Sequence, residues 1–571
     1  MLHGPRSLTG NLTPRPRFQT PDAQMCEPER TLVPVQPSPQ VLRPAVTLST
    51  PVTDVAELTG ARLNSGAAAG VEVTGIEQRS HAVQPGDLFA GLAGANAHGA
   101  RFAADAIARG AVAVFTDAAG AELIGTVEVP VLVHDDPRAV LGELSAAVYG
   151  HPSRRLRVIG ITGTSGKTTT SYLVEAGLAA AGVSTALIGT IETRIGGDRV
   201  PSALTTPEAP QLHAIFALMV EQGVEAVVME VSSHALALGR VDGVHFALGA
   251  FTNLSQDHLD FHADFEDYFA AKRRLFVPEP GAPTRQVAAD TCVICVDDAW
   301  GLRLAREAGG RATVVTVATT ESATGENEPE WTVTDAAALV DGGQRFTAVG
   351  PTGPVEARLR LPGRYNIANG LLALAVCANA GADAGTVAAA LGEVDVPGRM
   401  QRVGEGQNFL ALVDYAHKPA AVESVIATLR RQLRDTGGRL AVVVGAGGDR
   451  DAGKRPLMGA TAARGAELLV ITDDNPRTED AAEIRAAVRA GALGIAEAER
   501  GEVREIGDRA EAIAAAVDWA RQGDVVLVAG KGHETGQEIA GVKYPFDDRE
   551  VLAQALLRKI AAPDNKDLTV S

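Results

Sequence analysis

The chain has 571 residues, 46% hydrophobic and 21% charged, a globular composition with apolar material for several cores. With 52 Lys and Arg against 70 Asp and Glu, the formal charge of -18 excludes a broad grip on a nucleic-acid backbone, so phosphate recognition must be local. No stretch reaches the roughly 18 apolar residues of a membrane span, and the four cysteines (Cys26, Cys292, Cys295, Cys377) are too few and scattered for a disulfide framework. A cytoplasmic protein of several domains is expected.

Residues 1–50 hold nine of the 30 prolines and show no helical or strand period, which reads as a disordered tail. Residues 51–149 alternate short strands ("VEVTGIEQRS", "GDLFAGL", "GAVAVFTD", "VPVLVHD") with alanine-rich helical stretches, the pattern of a small α/β domain. In 150–395 the apolar strands "STALIGT", "EAVVMEVSS" and "FALGAFTNLS" are separated by helices, which predicts a parallel, doubly wound sheet. The pattern repeats in 396–560 with "FLALVDYAH", "RLAVVVGAGG", "ELLVITDD" and "DVVLVAGKG", leaving 561–571 as a second tail. Cys292 and Cys295 lie in "TCVICVDD", an apolar run that reads as a strand rather than a metal or redox pair.

Between the strand ending at Val158-Ile159 and a helix, "GITGTSGKTTTS" forms a phosphate loop shorter than the usual Walker spacing. Gly163 and Gly166 let backbone N–H groups turn toward phosphate oxygens, Lys167 supplies a charge and Thr168 a hydroxyl for Mg²⁺. Glu230 ends a buried strand, where a carboxylate is costly unless it meets a cation. "TNLSQDHLDFH" adds Asn253, Asp257, His258, Asp260 and His262. The helix "DFEDYFAAKRRLF" starts on a capping pair, Asp264 and Asp267, and carries Lys272, Arg273 and Arg274, which sequence alone does not separate. Three later loops, with Arg450, Arg477, and Lys531, His533 and Glu534, follow successive strands and suggest one shared pocket.

Taken in order, "GTSGKTT", "MEVSSHAL", "TNLSQDHLDFH", "YFAAKRRLF", "LPGRYNIAN", "PGRMQRV", "DYAHKP", "GAGGDRDAGKRPLM", "DNPR" and "GKGHE" resemble the Mur ligase family from about Leu58 to Leu557. The resemblance implies an N-terminal domain that holds a uridine nucleotide, a central ATP-binding domain and a C-terminal domain that brings an amino acid. It implies that Arg79, Ser80, Thr205, Thr206, Ser232 and Arg240 contact the UDP-muramoyl dipeptide. ATP would meet Gly163, Thr164, Ser165, Gly166, Lys167, Thr168, Thr169, Asn366, Arg399, Asp414 and His417. Two Mg²⁺ sites are implied, with Thr168, Glu230, His258 and a CO₂-carbamylated Lys272 (N6-carboxylysine) as ligands. Leu238 and Lys418 stand where the family often has Gln and Thr, and Cys295 where it usually has Asn.

The implied reaction is ATP-dependent amide-bond formation through an acyl phosphate, adding an amino acid to UDP-N-acetylmuramoyl-L-alanyl-D-glutamate. Family members add meso-diaminopimelate or L-lysine. "DNPR" resembles the diaminopimelate signature, which implies that Arg450, Asp474, Asn475, Pro476, Arg477, Gly530 and Glu534 line the pocket. In that reading Arg477 takes the distal carboxylate, and Asn475 with Glu534 takes the ammonium. The rivals are the same ligase acting on lysine, a folylpolyglutamate-type or cyanophycin-type ligase, and a non-catalytic descendant; a monomer is expected.

Overall fold

In the computed structural model, residues 41–63, 68–94, 96–258, 261–278, 287–319, 328–339 and 342–562 are described. Asp260 and most of the two expected tails lie outside them. The first layer is a five-stranded sheet ordered Arg62–Leu63, Val131–Val133, Ala113–Thr116, Asp87–Ala90, Gly75–Glu77, parallel except at its first strand. Residues 42–50, expected to belong to a tail, instead pack here. Arg43 donates to both oxygens of Asp87 at 2.6 and 2.9 Å, and Thr50–Pro51 pairs with Glu72–Val73. A half-buried arginine helps to secure a segment that no hydrophobic period announces.

The central sheet has eleven strands. Seven run parallel, in the order Thr185–Ile188, Ala226–Glu230, Arg157–Thr162, Leu248–Phe251, Thr291–Cys295, Thr313–Ala318, Trp331–Ala338. Alternation along the strand Arg157–Thr162 divides two cores: Ile159 and Ile161 pack with the helices Lys167–Ala180 and Arg364–Asn379, while Val158 packs with Phe216 and Phe246. Antiparallel strands extend both edges, and Gln344–Gly350 and Gly353–Leu359 go beyond the parallel sheet expected. Cys292 and Cys295 fall in opposite cores, as the strand reading requires.

His213 is fully buried beneath this sheet, its Nε2 3.2 Å from the carbonyl of Asp242 and its Nδ1 without a hydrogen-bond partner among the described residues. Burial pushes its imidazole down to about 4. Between about pH 6.5 and pH 4 the unfolded chain therefore binds a proton that the folded chain refuses, so stability rises with pH across that window. Denaturant titrations should lose about 3 kcal/mol from this group on acidification to below pH 4. A His213→Gln variant should show a correspondingly shallower acid dependence.

The third sheet is ordered Gln401–Arg402, Leu410–Asp414, Val525–Ala529, Leu440–Val444, Leu468–Ile471, Glu502–Glu505, parallel after its first strand. Four neighbouring strands thus release their following loops along one edge, where α/β sheets bind ligands. Beneath that edge Arg509 and Asp548, both fully buried, form a bidentate pair at 2.7 Å. Arg509 also donates to the carbonyls of Asp473 and Ala529, the last residues before Asp474 and Gly530. Among the described residues no helix is long and apolar enough to cross a membrane.

Candidate active site

The phosphate loop leaves the strand Arg157–Thr162 and enters the helix Lys167–Ala180 through two left-handed glycines, Gly163 (φ 146°) and Gly166 (φ 90°). A Cβ at Gly163 would stand 1.9 Å from Thr252 Oγ1, and one at Gly166 would stand 2.4 Å from Asn369 Oδ1, so neither position admits a side chain. Asn253 clamps the loop: its carbonyl accepts from Thr164 N at 2.9 Å and its Oδ1 from Ser165 N at 3.0 Å. Thr169 is buried on the first turn of the helix. Lys167 Nζ donates to Gly163 O and Thr164 O, and burial holds its amine below the ordinary lysine value, with Glu230 and Asp257 opposing.

Glu230, 1% exposed, accepts from Thr168 Oγ1 at 3.0 Å and from Thr190 N and Oγ1 at 2.8 and 3.0 Å. Thr190 escaped the sequence reading because it lies on another strand's turn. Lys272, also 1% exposed, donates to Gly163 O at 2.9 Å and lies 4.5 Å from the Tyr268 ring centroid. Burial, then repulsion from Lys167, hold its amine well below the ordinary lysine value. The other two cations of that helix go elsewhere, Arg273 to Glu307 and Arg274 to Asp242. His258 has φ 54° and a 6.1 Å ring contact with Tyr268; burial, only partly countered by Asp257, pushes it down to about 4. Thr168 and Glu230 are thus joined, whereas His258 and Lys272 meet around Tyr268. Among the described residues, no three His, Cys, Asp or Glu side chains form a ready metal cage.

Of the residues expected at the uridine nucleotide, Arg79 is held by Glu77 through Nε (3.1 Å) and Nη2 (2.8 Å), with Ser80 opening the next turn. Thr206 Oγ1 donates to Glu230 O and accepts from Ser232 N, while Thr205 meets Thr190 at 3.1 Å. Arg240 pairs with Glu208 at 2.8 Å and reaches Thr206 O. This group therefore adjoins Glu230, whereas Arg79 lies on the first sheet.

From the far side, Asn366 is buried, accepting from Asn369, whose Oδ1 faces Gly166. Arg399 stacks 4.3 Å over the Tyr415 ring, and its buried Nε has no hydrogen-bond partner among the described residues. Asp414 takes the amides of Met400 and Ala416; burial raises its carboxyl although Arg399 opposes. Burial pushes His417 down to about 4. The next residue, Lys418, forms an ion pair with Asp257 beside His258 and so joins the third sheet's loops to the phosphate site. From the sequence this lysine stood out only as a departure from the family's frequent threonine.

The amino-acid loops converge on Lys531, which is fully buried. Its Nζ lies 3.0 Å from Asn475 Oδ1, 3.2 Å from Glu534 Oε2 and 3.5 Å from Asp474 Oδ1. Gly530, φ 119°, turns beside Asp474. Pro476 precedes Arg477, whose left-handed backbone (φ 52°) is fixed by its N–H to Glu538 O and its carbonyl to Ala540 N. The Arg477 guanidinium donates to Gly448 O at 2.6 Å and sits 3.4 Å from Glu538. Arg450 is exposed at the end of the adjacent loop.

Three family models match the chain: "Mur ligase family, catalytic domain" at residues 72–149, "Mur ligase middle domain" at 161–377 and "Mur ligase, glutamate ligase domain" at 398–532. The UDP-N-acetylmuramoyl-L-alanyl-D-glutamate–2,6-diaminopimelate ligase of Corynebacterium glutamicum is 52% identical over 478 residues, covering 83% of this chain and 89% of its own. That of Streptomyces coelicolor is 51% identical over 516 residues, covering 90% and 98%. A solved structure titled as the same ligase superposes with a TM-score of 0.64 at 31% identity, covering 90% of this chain and all of that one. With the matches running through all three sheets and their loops, the chain belongs to the Mur ligase family.

Proposed function

We propose that the chain catalyses ATP-dependent addition of meso-diaminopimelate to UDP-N-acetylmuramoyl-L-alanyl-D-glutamate, in the cytoplasm, giving the UDP-muramoyl tripeptide. The observation that carries this reading is the Arg477, Asn475 and Glu534 cluster on the same strand edge as Arg399 and Lys418, the latter tied to the phosphate loop's neighbour Asp257. A cation and a carboxylate on neighbouring loops suit the zwitterionic side-chain end of diaminopimelate, where lysine carries only an ammonium.

Mur ligases use ATP with Mg²⁺. The donor set fits this ion at Thr168 and Glu230, hard oxygens 3.0 Å apart that leave further positions to phosphate and water. Bound there, Mg²⁺ would offset charge on the γ-phosphate. A second position at His258 and Lys272 fits only once the lysine carries a carboxylate. The loop amides and Lys167 hold the triphosphate while the D-glutamyl carboxylate attacks the γ-phosphorus and the bond to ADP breaks. The diaminopimelate amine, held by the third sheet's loops, then attacks the acyl carbon; the C–O bond to phosphate breaks and the amine loses its proton. Much of the acceleration comes from alignment, which Thr205, Thr206, Ser232 and Arg240 supply beside Glu230.

Phosphate release with ATP, Mg²⁺ and the UDP-muramoyl dipeptide, with either meso-diaminopimelate or L-lysine added, tests this. Turnover with diaminopimelate is expected. Equal turnover with lysine would overturn the choice of amino acid, and none with either would overturn the reaction.

A further inference from the structure

Lys531 is the one feature of the amino-acid loops that no substrate-contact role explains, because none of its surface is exposed. Its neighbours define what it does. Asn475 Oδ1 receives two hydrogen bonds, from Lys531 Nζ at 3.0 Å and from Glu538 N at 2.9 Å. Both partners are donors only, so the amide oxygen must face them. On the other side Asn475 Nδ2 donates to Glu534 Oε2 at 2.9 Å, a group that accepts only. The amide orientation is therefore dictated by chemistry, and both acceptor positions of its oxygen are filled. What Asn475 has left is one N–H.

We infer that Lys531 is a positioning residue for amino-acid selection, which locks Asn475 so that it presents an N–H donor, and not an oxygen, to the incoming amino acid. The inference rests on the pocket reading given above and changes one role within it. Asn475 joins Arg477 as a donor toward the substrate carboxylate, and Glu534 alone, through Oε1, takes the ammonium. Charge counting agrees. Asp474 and Glu534 contribute two negative charges and Lys531 one positive charge within 3.5 Å, leaving one negative charge for one ammonium. Without Lys531 the amide is free to turn, and two carboxylates face each other across it.

Two variants test this, with Arg477→Ala as the control for the pocket itself. In Lys531→Met the KM for diaminopimelate should rise at least tenfold, while kcat falls less than threefold and the KM values for ATP and the UDP-dipeptide stay within twofold. A lowered Tm with an unchanged diaminopimelate KM would mean a structural role only and would overturn the inference. Should Lys531→Met not fold, Asn475→Asp decides. Replacing the outward donor with an acceptor should raise the diaminopimelate KM at least tenfold; an unchanged or lower KM would show that an oxygen meets the ammonium. If Arg477→Ala leaves diaminopimelate use unaltered, the pocket reading has failed. If Arg477→Ala alone is impaired, only the role of Lys531 has failed.

Discussion

A Lys272→Met variant is expected to lose about 10²- to 10³-fold in turnover, the scale for removing one preorganised electrostatic element, although it keeps the bulk of the side chain. The position favours a chemical change in this lysine. Its amine is buried, near Lys167, and no carboxylate among the described residues forms an ion pair with it. Desolvation and the neighbouring cation both disfavour ammonium, with Asp257 opposing, which raises the share of neutral amine able to attack CO₂, forming an N–C bond and releasing a proton. The resulting carbamate is an anion, and the Lys167 charge that disfavoured a cation there then stabilises it. Lys272→Glu, which supplies a carboxylate directly, should recover part of the loss. Wild-type protein equilibrated with ¹³C-bicarbonate should show a carbamate carbon resonance that Lys272→Met lacks. Near-normal turnover in Lys272→Met would remove this residue from the mechanism.

The second large effect is expected at Arg477. Arg477→Ala should lower kcat/KM for diaminopimelate by about 10²- to 10³-fold, as loss of a charge-assisted pair in a partly buried site implies, and should change any lysine activity far less. Arg477→Lys should rescue little, since an ammonium cannot reproduce the planar fork. The backbone explains why the fork is well placed: φ 52° is an uncommon conformation for arginine, and hydrogen bonds to Glu538 and Ala540 on the hairpin Gly536–Pro545 hold it on both sides. Competition between diaminopimelate and lysine, measured for each variant in one assay, checks the prediction. Parallel losses for both amino acids would argue against a carboxylate partner.

The parts of this site that could be read from the sequence are those whose causes are local. The phosphate loop announces itself because strand, glycines, lysine and helix fall within about twenty residues, and the capping pair Asp264 and Asp267 is satisfied within one turn, Asp264 accepting from Asp267 N. What escaped depends on partners far along the chain. Lys272 could not be told from Arg273 and Arg274 because each is selected by a different distant group, Gly163, Glu307 and Asp242. The outward face of Asn475 is set by Lys531, 56 positions later. Lys418 had no role in the sequence because its carboxylate partner lies 161 positions earlier. Residues 42–50 lacked any period because an ion pair and scattered polar and backbone contacts, rather than an apolar stripe, hold them.

The buried pair of Arg509 and Asp548 has a consequence for synthesis of the protein. Domains fold largely as units as they leave the ribosome, N-terminal first. The phosphate loop, its glycine cradle and Glu230 are complete within the central sheet, long before Asp548 is translated. Arg509, which steadies the carbonyls ahead of Asp474 and Gly530, has no carboxylate to fix it until that residue arrives. A nascent chain therefore completes its phosphate loop well before the carboxylate that steadies the loops carrying Asp474 and Gly530 is translated.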